Sequence, residues 1–93
     1  MMKNVIYKYP INPVGRTELM LPIDNEILSL QVQRECPYLW VRLNPEQSLT
    51  RHAFEVKVTG GQFDPMGLKY IGTFQLKNGG FVGHLFKIEA NLT

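Results

Sequence analysis

The sequence predicts a mostly β fold: a compact antiparallel sheet, sandwich or partly open barrel of about six to seven strands with little helix. Three observations carry this. Apolar residues recur with a period of two over most of the chain. The alternating runs are short and are separated by Pro, Gly, Asn and Asp. The length, 93 residues, has room for one core, so residues 1–93 read as one domain.

The elements follow in order. Val5 to Tyr9 is β-branched and aromatic and stops at Pro10. Ile11 to Arg16 carries the turn formers Pro13 and Gly15. Thr17 to Leu21 reads as a short strand ended by Pro22, and Asp24-Asn25 turn the chain. Leu28, Leu30 and Val32 then alternate with Ser29, Gln31 and Gln33. Beyond Arg34-Glu35-Cys36-Pro37, the residues Leu39, Val41 and Leu43 alternate with Tyr38, Trp40 and Arg42. A reversal centred on Glu35-Cys36 pairs Val32 with Leu39, Leu30 with Val41 and Leu28 with Leu43. It also pairs Gln33 with Tyr38, Gln31 with Trp40 and Ser29 with Arg42. One face of this hairpin is aliphatic and the other polar and aromatic, which a slip of one residue would destroy.

Asn44 to Arg51 reads as a loop with room for one helical turn at Glu46 to Leu49. His52 to Thr59 is a strand with Phe54, Val56 and Val58 inward, closed by Gly60-Gly61. Gln62 to Lys69 is a loop in which Phe63 and Met66 either plug the core or form a lid. Tyr70 to Lys77 and Gly80 to Glu89 form a hairpin through Asn78-Gly79, a pair suited to a type I′ turn because both central residues need positive φ. That register sets Leu76 opposite Phe81, Phe74 opposite Gly83 and Gly72 opposite Leu85, so that the glycines make room for large partners. It sets Ile71 opposite Phe86, Thr73 opposite His84 and Gln75 opposite Val82 on the other face. Both faces are partly apolar, so this hairpin is central in its sheet or is covered by a second layer or a second subunit.

Composition removes several function classes. The net charge of +2 comes from basic residues scattered among acids, which argues against nucleic acid as partner. The single cysteine, Cys36, excludes an internal disulfide and fits a reducing compartment. No run approaches the roughly twenty apolar residues of a membrane span, and Lys8 interrupts the start before a signal-peptide apolar region forms. The expectation is a cytoplasmic protein without a membrane partner. Neither a Walker-type phosphate loop nor a Gly-x-Gly-x-x-Gly motif is present. Cys36, His52 and His84 are far apart, Cys36 reads as a small turn residue, and no carboxylates pair for acid–base work. The expectation is no enzyme, no cofactor and no metal.

What remains is binding. Gln31, Gln33, Tyr38, Trp40 and Arg42 combine flat rings, amides and a guanidinium on one hairpin face. Such parts suit stacking of a base with contact to a phosphate, and they equally suit a protein interface. The same rings could form a second core layer beneath the N-terminal segment. His84 faces Thr73, as a hydrogen-bonded sheet residue or as a further ligand contact.

Ile27 to Gln33, Cys36-Pro37-Tyr38-Leu39-Trp40, Tyr70 to Leu76 with its Gly-rich turn, and the opening Ile6-Tyr7-Lys8-Tyr9 together resemble a family of small bacteriophage and prophage domain proteins. The resemblance covers nearly the whole chain and carries no active site to transfer. It implies a phage accessory protein made in the host bacterial cytoplasm and acting by stoichiometric binding. One target is a small nucleotide-derived immune signal, sequestered by a homo-oligomer in a counter-defence role. Another is a host defence or regulatory protein, and a third reading is a small virion or assembly protein.

Overall fold

The structure, a computed structural model, describes residues 3–89. Among the described residues seven strands form: β1 (Val5–Pro10), β2 (Gly15–Pro22), β3 (Asn25–Gln33), β4 (Cys36–Leu43), β5 (Leu49–Val58), β6 (Leu68–Leu76) and β7 (Phe81–Ile88). They make two antiparallel sheets, one in the order β1-β4-β3 and the other β2-β5-β7-β6. The thin dimension of the molecule is 15 Å, the depth of two backbone layers spaced about 10 Å apart.

The alternation in the sequence maps onto these layers. Leu39, Val41 and Leu43 of the first sheet face Leu19, Leu21, Phe54, Val56, Phe74, Leu76 and Leu85 of the second, with Ile11 closing one side. Phe54 is 1% exposed, and Leu21, Leu39, Val41 and Leu85 are fully buried. Gly83 sits opposite Phe74, and a Cβ built there would lie 2.5 Å from Phe74 Cζ and 2.9 Å from Val56 Cγ1. The glycine is therefore required by the ring that occupies its side-chain space. Gly72 plays the same part between sheets, where an added Cβ would come within 3.2 Å of Leu30 Cδ2.

The two hairpins differ from expectation in instructive ways. In β6–β7 the pairs Leu76–Phe81, Phe74–Gly83, Gly72–Leu85, Thr73–His84 and Gln75–Val82 form as the Asn-Gly turn requires. Asn78 has φ 54° and ψ 37°, and the Gly80 N–H donates to the Lys77 carbonyl at 2.9 Å. The expected Ile71–Phe86 pair does not form, because a bulge at Ile71 sets Tyr70 opposite Phe86 and Lys69 opposite Lys87. In β3–β4 the turn is Arg34-Glu35, not Glu35-Cys36, and Cys36 opens β4. Val32 therefore pairs with Pro37, Leu30 with Leu39, Gln31 with Tyr38 and Ser29 with Trp40, a shift of two residues that keeps the side chains from Ser29 onward on their expected faces. A second bulge leaves Leu28 unpaired and 45% exposed, and Ile27 takes the inward place opposite Val41.

Arg34 and Glu35 reach the left-handed region (φ 52° and 61°) without glycine. That conformation costs about 1–2 kcal/mol for each residue. A contact across the molecule offsets part of it: Glu35 Oε1 accepts the Lys77 N–H at 2.8 Å, tying the two hairpin turns together.

β5 and β6 run in the same direction with β7 between them, so their connection must cross the sheet. The loop between Val58 and Leu68 does this over the outer face, with the Phe63 ring 5.4 Å from Phe86 and Tyr70 5.6 Å from Phe86 on the other side. Phe63 and Met66 thus lie outside the core, Met66 80% exposed, and the layer that the last hairpin calls for comes in part from this chain's own loop. Val58, expected inward, is 41% exposed, two residues past the end of the β2–β5 pairing at Val56, and residues 44–48 form turns without a helix.

Candidate ligand-binding faces

The three-stranded sheet presents its polar face outward. β1 pairs with β4 at the sheet's edge instead of lying across it, so Tyr38 and Trp40 are half-buried on an open face and not in a second core layer. The two rings meet edge to face at 6.0 Å. β1 contributes a residue that the sequence reading did not include. Lys8, opposite Trp40, holds its Nζ 4.5 Å from the Tyr38 centroid and 6.0 Å from that of Trp40. Its ammonium donates to Gln33 Oε1 at 2.9 Å. Lys8, Gln33, Arg34 and Tyr38 line a hollow of about 420 Å³.

The other expected members behave differently. Gln31 donates to Ser29 Oγ on the same face. Arg42 is committed within the chain: Nε donates to Glu26 at 3.2 Å, Nη1 to Asn4 at 2.7 Å, and Nη2 lies 3.5 Å from Asp24. His84 is not part of this face at all. It stands on the outer face of the opposite sheet, where Nδ1 bonds Thr73 Oγ1 at 2.9 Å and Nε2 bonds Thr59 Oγ1 at 2.7 Å. Tyr70 OH joins the same network through Thr73 at 2.6 Å. His84 thus buttresses the crossing loop's first residue against β6.

A second concavity opens between the sheets at the end where β3 and β6 begin and β7 ends. It measures about 590 Å³ and is lined by Ile23, Ile27 and Ile71 with Asn25, Glu26, His52, Lys69, Tyr70 and Lys87. His52 and Lys87 occupy inward positions of their strands, flanking Phe54. Lys87 Nζ donates to His52 Nδ1 at 2.9 Å and lies 5.5 Å from the Phe54 centroid. Because an ammonium only donates, His52 carries its proton on Nε2, which bonds Thr50 Oγ1 at 2.9 Å, and Thr50 in turn donates to the Leu21 carbonyl. Burial holds the His52 imidazole below its ordinary pKa, with Lys87 pushing the same way and a backbone hydrogen bond involving Leu21 opposing. Burial also lowers Lys87, Lys69 lowering it further while Glu89 opposes.

Fold and faces define a class, a small two-layer antiparallel β protein with cations set over aromatic rings. The chain belongs to the family described as a domain of unknown function, DUF7352, which matches residues 2–92. No curated protein and no solved structure matches it. Among the described residues no helix is long and apolar enough to cross a membrane.

Proposed function

We propose that the protein works by stoichiometric binding, without chemistry of its own, and takes a small nucleotide-derived anion on the outer face of the three-stranded sheet. The observation that carries this reading is Lys8, anchored by Gln33 over the Tyr38 and Trp40 rings beside the Arg34 turn. Aromatic rings offer a base a stacking surface worth about 1–3 kcal/mol, and Lys8 with Arg34 offers its phosphates two cations. Arg34 is held at the rim in a left-handed conformation, the kind of local strain that concentrates at binding sites. Following the resemblance to phage proteins, the ligand is an immune signal of the bacterial host, and sequestering it in a homo-oligomer is counter-defence.

Trp40 is the only tryptophan in the chain, so its emission reports directly on this face. Titration with linear and cyclic mono-, di- and trinucleotides should give saturable quenching for one class, with a matching rise in Tm by mass action. Lys8→Met should weaken that binding at least tenfold with the fold intact. Native mass spectrometry of the complex gives the stoichiometry. Unchanged emission and Tm across the whole set would overturn the nucleotide reading, and a host protein co-purifying through Trp40 would replace it with protein inhibition.

A further inference from the structure

The mouth between the sheets carries two facing cations that its surroundings answer only in part. Lys69 and Lys87 stand directly opposite each other on β6 and β7, at inward positions of that sheet. Like charges opposed across a strand pair are destabilising. Among the described residues neither lysine takes part in an ion pair. The carboxylate that does line the mouth, Glu26, is already engaged by Arg42 at 3.2 Å. Glu89, exposed just beyond β7, lines an adjoining hollow with His52 and Lys87 and favours the Lys87 charge. The partner that Lys87 does have, His52 Nδ1, is neutral and accepts one of three ammonium hydrogens.

We infer that this mouth is a second binding site, for an oxyanion (a phosphoryl or carboxylate group) held between Lys69 and Lys87 and carried on an apolar body that rests on Ile27 and Ile71. The cavity of about 590 Å³ lies within the range of about 300–1,000 Å³ typical of small-molecule sites. Its lining combines an apolar part, Ile23, Ile27 and Ile71, with a polar part that includes Lys69 and Lys87, as a ligand with one charged end would require. His52 is the positioning residue: its Nε2–H is spent on Thr50, which aims the Nδ1 lone pair at Lys87 and holds the ammonium over Phe54. This site is independent of the outer aromatic face, and the two share no lining residue.

The test uses the full chain at pH 7.5 and constant ionic strength, with Tm measured in chloride, inorganic phosphate, hexyl phosphate and hexanoate. The parent should gain several degrees in phosphate over chloride, and more in the hexyl compounds. Lys69→Met should raise Tm in chloride, by removing the repulsion, Lys87→Met should leave it unchanged or higher, and each should abolish the anion-dependent gain. Lys69 is exposed, so its variant carries the test even where Lys87→Met disturbs the core. In NMR spectra the ε-CH₂ signals of Lys69 and Lys87 should shift on adding hexyl phosphate, and those of Lys8 should not. Equal Tm in all four salts would overturn the proposal. So would a gain that survives both substitutions, or shifts confined to Lys8. A gain with inorganic phosphate equal to that with the hexyl compounds would overturn the apolar-body part.

Discussion

Two lysines in this protein sit over aromatic rings, and their surroundings give the same contact opposite consequences. Lys8 lies outside, 4.5 Å above Tyr38, with water on one side and Gln33 on the other. Lys87 lies inside, 5.5 Å from Phe54, with a neutral imidazole on one side and a second lysine across the strand pair. Outside, the charge keeps its solvation and the ring contact adds a little. Inside, burial presses against the charge most, Glu89 offsets part of that, and Lys69 adds to it, so the position is tolerated at a cost. A cation–ring contact therefore identifies a binding surface only together with an account of what else surrounds the cation.

Phe54 is 1% exposed and supports Lys87 from the core. Phe54→Ala should cost about 3–5 kcal/mol, the loss of a buried aromatic plus an incompletely collapsed cavity. Tyr38→Ala, on the open face, should cost on the order of 1 kcal/mol. Urea denaturation of the two variants measures both. Equal losses would mean that the outer face is packed like core and that the contrast between the two lysines is false.

His52 has a folded-state pKa below its ordinary value of 6.5. Between the two values the unfolded chain holds more protons than the folded one, so stability rises with pH across that window. Read downward, stability falls as pH drops below about 6.5 toward the folded pKa. His52→Gln keeps an acceptor for Lys87 and a donor for Thr50 but cannot take the proton. Denaturation midpoints from pH 7.5 to 5 should fall more steeply for the parent than for His52→Gln, with His84 common to both. Parallel profiles would show that the imidazole is not confined by the Lys87 contact.

How much of this was legible in the sequence differs from residue to residue. The β6–β7 register was readable because Asn78-Gly79 accepts the positive φ that a two-residue turn demands, and Gly83 because its partner Phe74 was fixed by that turn. The β3–β4 turn was not, because Arg34 and Glu35 adopt the same geometry with no glycine or asparagine to announce it. From Ser29 onward the faces survived the error, since a shift of two residues preserves parity, but at Leu28 they did not, because the bulge there sends Ile27 inward instead. Lys8 was missed because its place depends on β1 pairing with β4, a contact between distant segments that no local pattern encodes. The facing of Lys69 and Lys87 at the mouth was missed through one bulge. Without the extra residue at Ile71, Tyr70 would face Lys87, and with it Lys69 does. A local signal did exist: His52 and Lys87 fall on the same alternation as Phe54 and Leu85, polar residues in apolar phase, the pattern expected at a site.

The smallest expected effect is also the sharpest test of the contrast. Lys8→Met keeps an unbranched apolar stem against Tyr38 and removes the charge and its bond to Gln33. An exposed cation–ring contact contributes about 0.5–1 kcal/mol, so the loss in denaturation free energy should stay within that range. Lys87→Met should move the other way, leaving stability unchanged or higher, because an apolar group replaces a desolvated charge that faces Lys69. The two substitutions are chemically identical and both lie beside a ring, so opposite signs isolate the surroundings as the cause. If Lys8→Met also stabilised the protein, Lys8 would be an unanswered charge like Lys87, and the outer face would need an anionic partner on energetic grounds. If both destabilised it alike, the ring contacts would dominate in both places, and neither the burial of Lys87 nor its opposition to Lys69 could be used to argue for an anion.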